Sequence, residues 1–564
     1  MTDSSLKTQK SHTDLQPANN YRQWYAFGFV FVIAFAVLFL TTDRMLNLND
    51  EGITLTAGLR VLAGQVPYRD FYFIYGPALP YIFGALFRIF GPTVFVAFLF
   101  DLTLKSLLCA SFFVLARRYC DRRIAIFFTA LLVLWLFTLQ LNLLAVTPVS
   151  LFSMWTLCLL LPVFTRVVSL RRFVAVGLLA ALTGLFRLDA GIAMLLIVLC
   201  MLLAATALYR GSLEGRRYKP IAAALAIVLV FVVVIGSALV IYRAVAPWHN
   251  LYFDLFYYPV HYYRVSRRLP LFHRADLEFL GEGTILTPGF TAVLVGIMVI
   301  RLWPRQSRAH QLTPETASLI GFLCSFGLLA VMMYVKSLVR IDLWQNYLAL
   351  VPTLILLAVL AQHRSDYGRV FRGAVYSVGL LCILGSLRFA EHTGRVDFDQ
   401  KSLLAAHLLR PQAQAPLPPD SNWCELRAPA TRYLCFLVDP DHIHAIEFLR
   451  SNTQPSDTLY VGLRHHDRAF ANDNATYFAT GLLPVTPWSE VDPHLQNTSA
   501  IQQQIMSELA AHRPPYVVLD SEYEAFNEPN DSSLSTGVTL LDDFIRQQYT
   551  PVRNFGELTV LKRK

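Results

Sequence analysis

Residues 220–243 read PIAAALAIVLVFVVVIGSALVIYR, a run whose only charged side chain is the final Arg243. An α-helix needs about 20 consecutive apolar residues to cross the hydrocarbon core of a bilayer. The stretch therefore predicts a membrane-spanning helix, and ten further apolar runs predict the same. These runs are Trp24–Thr42, 93–116, 124–141, 147–164, 173–187, 190–209, 289–303, 317–335, 346–362 and 373–389.

The composition of the whole chain agrees with these runs. Of the 564 residues, 55% are hydrophobic and only 15% are charged, whereas soluble domains carry about 25% charged residues. One soluble core cannot bury so much apolar surface, which excludes a soluble enzyme, a disulfide scaffold and a disordered chain. The predicted fold class is mostly α, a polytopic membrane bundle of about eleven transmembrane helices with a C-terminal extracytoplasmic α/β domain.

Charge divides the chain into two parts. Residues 1–389 hold 34 Lys and Arg against 17 Asp and Glu, whereas residues 390–564 hold 14 against 22. The basic excess belongs to the membrane part and needs no nucleic-acid partner to explain it. The predicted division is a cytoplasmic N-terminal tail (1–23), a transmembrane module (24–389), a linker (390–420) and a periplasmic α/β domain (421–564).

Short helices and β-branched runs alternate in the last part of the chain, which is typical of a sheet covered by helices. The predicted helices are 441–452, 498–512 and 538–548, and the predicted strands are Thr458–Leu463, Tyr516–Asp520 and Glu557–Leu561. Two cysteines of this part, Cys424 and Cys435, are close enough in sequence to form a disulfide in an oxidising compartment or to remain unpaired thiols. The six other cysteines are predicted to be free thiols.

Arginine-rich loops predict the orientation in the membrane, because cytoplasmic loops carry an excess of Lys and Arg. A cytoplasmic N-terminus places five such loops inside, namely Arg117–Arg123, Arg166–Arg172, Arg210–Lys219, Arg301–Arg308 and Arg364–Arg372. The loops 43–92, 188–189, 244–288 and 336–345 and the chain beyond residue 390 then face outside. Because the inner loops are short, none of them has room for a nucleotide-binding domain.

The first outer loop carries two adjacent carboxylates, Asp50 and Glu51, directly after the first span. Residues 51–62 have helical spacing and are predicted to lie along the membrane interface, and Pro77–Phe90 predicts a surface or re-entrant helix. The two carboxylates suit a general base at headgroup level. An alternative is that they only cap the interfacial helix, whose N-terminus favours negative charge.

Three cations on the predicted outer face suit phosphate binding: Arg187, Lys336 and Arg340. The aromatic-rich loop 252–272 adds Arg264, Arg267 and Arg268. Local pairing, of Arg187 with Asp189 and of Arg340 with Asp342, explains two of these cations equally well. Inside the second span, Asp101 and Lys105 are four residues apart and predict a structural ion pair.

The sequence contains no clear motif for binding a metal or a nucleotide. The sequence has no Gly-rich phosphate loop and no Cys-x-x-Cys pair. His465, His466 and Asp467 are consecutive and point in different directions, which argues against a shared metal. No metal ligand is therefore predicted, and no cofactor is assigned, although the residues do not exclude a divalent cation.

The order of motifs in the first half resembles that of the GT-C integral-membrane glycosyltransferases. It comprises a first span, Asp50-Glu51-Gly52, an interfacial helix, Gly64-Gln65-Val66-Pro67-Tyr68-Arg69-Asp70, a Gly-Pro-initiated apolar helix and a basic inner loop. The resemblance is to bacterial members near the protein O-mannosyltransferases and lipid A aminoarabinose transferases. In the tail, Phe470-Ala471-Asn472-Asp473 and Pro487-Trp488-Ser489-Glu490-Val491-Asp492-Pro493 are similar to domains appended to some members.

The resemblance implies an enzyme of the bacterial inner membrane that moves one sugar, a hexose or pentose, from a polyprenyl-phosphate donor to an acceptor hydroxyl with inversion. It implies that Asp50 is the general base, with Glu51 beside it and Asp70 as a second acid. Tyr75-Gly76-Pro77 lacks a lysine that relatives have, so Arg69 or Lys336 is expected to replace it. The implied partners are the lipid donor, membrane lipid and an acceptor glycan, lipid or protein.

Two other functions remain open from the sequence. A non-enzymatic transporter or lipid flippase needs charged or broken helices in mid-membrane, for which Asp101 and Lys105 are the only hint. A glycan polymerase or ligase moves a whole oligosaccharide from a lipid pyrophosphate.

Overall fold

The computed structural model describes residues 19–41, 46–139, 143–166, 168–208, 219–270, 283–303, 313–364, 367–392, 440–469, 471–525 and 528–564. Most of the predicted N-terminal tail and linker, together with Cys424 and Cys435, lies outside the described residues. Of the other cysteines, all six are free thiols, as predicted.

Within the described residues, each apolar run named from the sequence contains a helix. The helices up to residue 245 are α1 Asn19–Thr41, α2 Asp50–Leu62, α3 Ala78–Phe90, α4 Val94–Tyr119, α5 Arg122–Leu139, α6 Val146–Leu160, α7 Leu170–Phe186, α8 Leu188–Leu208 and α9 Pro220–Val245. After α10 Trp248–Tyr252 and helical turns to Ser266, the bundle continues with α11 Thr287–Leu302, α12 Pro314–Ser337, α13 Tyr347–Gln362 and α14 Arg369–His392.

Nine helices of the described part are long and apolar enough to cross a membrane. Helices α3 and α13 are shorter. Helices α2 and α3 form where the sequence predicts helices in the first loop, and their position at the membrane surface stays a prediction. Most apolar side chains of α1 and α9 face outward, since only 11% of the most apolar stretch of each helix is buried inside the protein. Such a surface is stable only in contact with lipid. The predicted Asp101–Lys105 ion pair forms inside α4 at 2.8 Å.

The C-terminal domain, residues 440–564, contains a five-stranded sheet. Its helices are α15 Pro440–Asn452, α16 Ala475–Thr480, α17 Ser499–His512 and α18 Leu540–Gln548, and its strands are β1 Thr458–Leu463, β2 Leu483–Pro484, β3 Tyr516–Asp520, β4 Tyr549–Phe555 and β5 Leu558–Arg563. The strand order is β2-β1-β3-β5-β4, with β2, β1 and β3 parallel and the β4–β5 hairpin antiparallel. Apolar clusters cover both faces of the sheet.

The C-terminal domain packs directly on the first loop of the bundle. The backbone N–H groups of Asn474 and Ala475 each donate to the carbonyl of Leu48 at 3.0 Å. A Cβ atom on Gly52 would lie 2.5 Å from the nitrogen of Ala475, so only glycine permits this approach. The rings of Phe87 and Phe478 add an apolar contact at 5.4 Å. The domain therefore fixes the loop that begins α2.

Candidate active site

The loop before α2 is held by its own side chains. The side-chain oxygen of Asn47 accepts the backbone N–H groups of Asn49 at 3.1 Å and Asp50 at 2.8 Å, as a helix cap does. The buried Glu51 carboxylate accepts the N–H of Asn47 at 3.1 Å in return. The Glu51 carboxylate thereby holds the loop before α2, and both carboxylates lie in the first turn of that helix, where negative charge is favourable. Among the described residues, the Asp50 side chain accepts only from the Asn49 amide, at 3.3 Å.

Asp50 is half-buried and faces positive charge. Burial raises the pKa of its carboxyl group above the usual value, while the charges of Arg340 and Arg267 lower it. The second of these arginines comes from the aromatic-rich loop. A carboxylate with a raised pKa beside two guanidinium groups fits a proton acceptor next to an anion site.

The two arginines share carboxylates of the C-terminal domain. Arg340 forms an ion pair with Glu528 at 2.5 Å, and Arg267 lies 3.6 Å from the same Glu528 and 3.8 Å from Asp492. Arg340 therefore pairs with Glu528, not with Asp342 as the local alternative had it. Its Nη1 atom is buried and has no hydrogen-bond partner among the residues described. One guanidinium nitrogen thus remains available to an anionic ligand.

A second pair of cations meets at one carboxylate. Arg187 lies 3.4 Å from Asp189, and Lys336 forms an ion pair with the same Asp189. The Arg187 guanidinium also lies 5.6 Å from the centre of the Tyr75 ring. Burial, Tyr263 and Asp50 raise the pKa of the Tyr75 hydroxyl, whereas Arg187 opposes them. The Tyr75 hydroxyl therefore experiences the charges of both Asp50 and Arg187.

Together, Asp50, Arg187, Arg267, Lys336 and Arg340 are called the Asp50 cluster here. Two buried carboxyl groups, Asp254 and Glu490, and the partly buried Asp492 lie beside it. Burial and the nearby Asp492, Asp254 and Asp50 raise the pKa of Glu490 well above its usual value, and burial raises the pKa of Asp492 to about 6. Their protonated forms are uncharged and offer O–H donors to a polar ligand.

The predicted pair Arg69 and Asp70 occupies its own turn. The Arg69 guanidinium donates twice to the Asp70 carboxylate, at 2.9 and 2.7 Å, and Asp70 also accepts the N–H of Val66 at 2.7 Å. Despite partial burial, these hydrogen bonds and the charge of Arg60 lower the pKa of Asp70. The cations that act on Asp70 are thus Arg69 and Arg60, and the structure does not bring the pair into the Asp50 cluster.

Arg60 connects this turn to the C-terminal domain. Its buried guanidinium donates to the carbonyls of Thr486 at 3.1 Å and Asp70 at 2.9 Å and to the Gln65 amide oxygen at 2.6 Å. Burial lowers the pKa of Arg60 to about 10. These hydrogen bonds hold the domain against the loop.

Replacing Arg60 with glutamine is expected to destabilise the protein by about 2–3 kcal/mol, because three acceptors lose a charged donor. The expected observation is a lower apparent Tm in detergent, measured by near-UV circular dichroism or tryptophan fluorescence. Arg553→Gln, on an exposed strand residue, is the matched control and should melt like the wild type. Equal Tm values for Arg60→Gln and the wild type would contradict the prediction.

An apolar pocket lies next to Arg187. It is lined by Gly76, Pro77, Leu185, Leu188, Leu239 and Tyr242, among others. The N–H of Gly76 donates to the carbonyl of Phe186 at 3.1 Å, and a Cβ atom on Gly76 would lie 2.2 Å from the Leu185 carbonyl oxygen. Glycine is therefore required where the loop crosses the end of α7 and shapes the pocket.

Comparison with solved structures decides the fold. The chain is similar to ArnT from Cupriavidus metallidurans bound to undecaprenyl phosphate, with a TM-score of 0.54 and 14% identity over 96% of this chain and 98% of that chain. The chain has the GT-C fold. ArnT in the apo state gives the same TM-score and identity over 97% and 98% of the two chains.

The oligosaccharyltransferase from Archaeoglobus fulgidus, in complex with Zn and sulfate, matches with a TM-score of 0.42 and 13% identity over 88% of this chain and 68% of that one. No family model matches the sequence, and no curated protein matches it either. This fold confirms the predicted fold class, and it is the fold that the resemblance in the first outer loop implied. The chain is a multi-pass membrane protein of this fold.

Sequence reasoning found most of the Asp50 cluster and missed its acidic partners. Arg267 was noticed only as one of three arginines, and no role was assigned to Asp254, Glu490, Asp492, Glu528 or Tyr75. The available signal was the segment 487–493, whose acidic residues stand between prolines and aromatic or apolar residues. Tyr72 stacks on Trp488 at 5.6 Å, and the Tyr258 hydroxyl donates to the Pro493 carbonyl at 2.9 Å.

Proposed function

We propose that this chain is an inverting glycosyltransferase that moves a single hexose or pentose from a polyprenyl-phosphate donor to an acceptor hydroxyl. The observation that carries the proposal is the Asp50 cluster, in which one half-buried carboxylate faces arginines beside an apolar pocket. ArnT, which has the same fold, has been crystallised with undecaprenyl phosphate. The fold supports a lipid-phosphate donor here.

The charge of each side chain in the Asp50 cluster determines the role that we propose for it. A donor phosphate would lie among Arg187, Lys336, Arg267 and Arg340, and its apolar chain would occupy the pocket beside Arg187. Asp50 would accept the proton of the acceptor hydroxyl as that oxygen bonds to the anomeric carbon. The bond between this carbon and the phosphate oxygen breaks, and the phosphate leaves with the electron pair. The cations stabilise the charge that develops on it.

Glu51, Arg69 and Asp70 have supporting roles in this proposal. The Glu51 carboxylate holds the loop through Asn47, and the Arg69–Asp70 pair stabilises the turn that Arg60 attaches to the C-terminal domain. The acceptor, whether glycan, lipid or protein, would approach beside Glu490 and Asp492. No divalent metal is assigned to the reaction.

The location follows from the Arg-rich loops. We place the chain in a bacterial inner membrane with its N-terminus in the cytoplasm and the Asp50 cluster and C-terminal domain in the periplasm. The domain division predicted from the sequence belongs to the same proposal. Alkaline phosphatase and green fluorescent protein fused after residue 564 test this topology, since only the first is active outside.

Sugar transfer is tested with membranes or purified protein, a set of polyprenyl-phosphate sugars and mass analysis of the product. A mass increase of one sugar supports the proposal. Transfer of a whole oligosaccharide would support a polymerase or ligase. Lipid or sugar movement across vesicles without any transfer would support a transporter.

The rate should depend on pH through Asp50. A general base acts only when ionised, and burial raises its pKa, so kcat/KM should fall with decreasing pH at a higher pH than for an exposed aspartate. The measurement is a pH profile of kcat/KM at constant ionic strength. A rate that stays constant as the pH is lowered to about 4, the usual range of an aspartate, would contradict the assignment.

A further inference from the structure

A group of unused polar side chains lies in the C-terminal domain, where α15 begins and β3 ends. His442 is in the first turn of α15, Asp520 ends β3, and Glu522 follows in a short turn. One ligand atom from each of the three lies within 4.8 Å of the others. None of these residues belongs to the Asp50 cluster, and sequence reasoning assigned no role to any of them.

We propose that His442, Asp520 and Glu522 bind a divalent transition-metal cation of the zinc class. The site combines an imidazole with two carboxylates, the donor set that suits Zn²⁺ and similar ions better than Mg²⁺ or Ca²⁺. With three protein ligands, the fourth position of a tetrahedral ion belongs to water. The proposal is independent of sugar transfer.

Buried atoms without partners point to the cation. His442 is only 4% exposed, yet neither of its ring nitrogens has a hydrogen-bond partner among the described residues. Asp520 is fully buried: its Oδ1 accepts the N–H of Glu522 at 2.8 Å, but its Oδ2 has no partner in the described part of the chain. Buried polar groups of native proteins are almost always satisfied, so a ligand is expected here.

The distances from His442 Nε2 to the nearby carboxylate oxygens suit metal coordination better than hydrogen bonds from a protonated histidine. The His442 Nε2 atom lies 3.7 Å from an Asp473 oxygen and 4.0 Å from a Glu522 oxygen. Both distances are too long for hydrogen bonds. By contrast, a tetrahedral ion with bonds of about 2.1 Å holds its ligand atoms roughly 3.4 Å apart. Small side-chain rotations therefore suffice to coordinate it.

The surroundings let a cation enter the site and place a further carboxylate beside it. The Glu522 side chain is 45% exposed, so an ion can reach the buried ligands from solvent. Asp473 already accepts from the Thr476 N–H at 3.0 Å and from the Thr476 hydroxyl at 2.5 Å, so its carboxylate is fixed beside His442. Because it lies on the same side of the ring as Glu522, next to Nε2, it adds negative charge beside a bound cation.

The metal site stands behind the loop of Asp50. The segment 472–475 contains Asp473 and contacts that loop with three N–H groups: Asn472 donates to the Asn49 side chain at 3.2 Å, and Asn474 and Ala475 donate to the Leu48 carbonyl. A cation at His442 would therefore stabilise the segment that holds the loop. Its role would be structural.

The test uses the full chain, freed of any affinity tag, in detergent. The protein is stripped with a chelator, loaded with zinc chloride, desalted and analysed by plasma mass spectrometry. One Zn²⁺ per chain is expected for the wild type. Glu522→Gln, which removes an exposed ligand without leaving a buried cavity, is expected to weaken Zn²⁺ affinity at least about tenfold. Asp520→Asn should lose stoichiometric binding.

His465→Ala is the matched control. It removes a neighbouring, largely exposed histidine outside the site and should retain the wild-type stoichiometry. Zn²⁺ should also raise the apparent Tm of the wild type and leave that of Glu522→Gln nearly unchanged. Absence of stoichiometric Zn²⁺ in the wild type, or equal binding by Glu522→Gln, would overturn the proposal. Circular dichroism of each variant shows whether it has folded.

Discussion

Asp50→Asn is expected to reduce kcat for sugar transfer by about 10²–10⁴-fold, because the amide cannot accept the proton of the acceptor hydroxyl. The KM for the donor should stay the same or fall, since the variant removes a negative charge that faces Arg340 and Arg267. The measurement is the initial rate with a polyprenyl-phosphate sugar at several donor concentrations. Separate kcat and KM values distinguish lost chemistry from lost binding.

Two control variants show whether the loss of activity is specific to Asp50. Asp121→Asn makes the same change at an exposed loop residue that contacts Gln362 and should keep the wild-type rate. Glu51→Gln keeps an oxygen that can accept the N–H of Asn47 and should lose much less activity than Asp50→Asn. Near wild-type kcat for Asp50→Asn, or a larger loss for Glu51→Gln, would show that Asp50 is not the base.

Arg340→Gln is expected to lower kcat/KM by about 10²–10³-fold, because it removes a cation that stabilises the departing phosphate. It should also move the acidic limb of the pH profile to higher pH. The charge of Arg340 lowers the pKa of Asp50, and its loss lets that pKa rise further. The measurement is a complete pH profile of kcat/KM for variant and wild type.

The pH shift separates an electrostatic role from a structural one. Arg340→Lys keeps the charge and should leave the acidic limb near its wild-type position while recovering part of the rate, because lysine lacks the planar fork. Arg88→Gln, at an exposed position near the end of α3, is the neutral control. A rate loss in Arg340→Gln without a shift of the limb would show that Arg340 does not act on Asp50.

Local sequence patterns were sufficient to predict most of the helices and several of the strands. Hydropathy identified all nine helices of the described residues that are long and apolar enough to span a membrane, because twenty apolar residues in a row have few alternatives to a lipid-facing helix. The two helices of the first loop, α2 and α3, were equally predictable, because helical spacing depends only on nearby residues. Strand β4 was missed because most of its residues are exposed and show no apolar alternation.

Long-range pairings could not be read in the same way. Arg340 is 188 positions from its partner Glu528, and a closer candidate, Asp342, stood in the same loop. Arg267 likewise meets Asp492 and Glu528 only after the C-terminal domain has packed on the loops. Charge patterns identify residues that need a counter-ion but do not choose among distant ones. The proposed metal ligands His442, Asp520 and Glu522 escaped sequence analysis for the same reason, because His442 lies far from the other two along the chain.

The pairing of Glu528 with Arg340 and Arg267 affects how these arginines could bind a phosphate. One carboxylate of the C-terminal domain, Glu528, lies beside two arginines, Arg340 and Arg267, and reduces the repulsion between their positive charges. Under the proposed function, a donor phosphate would have to share these guanidinium groups with Glu528 or displace it. Donor binding would then be coupled to the position of the chain segment around residue 528 of the C-terminal domain.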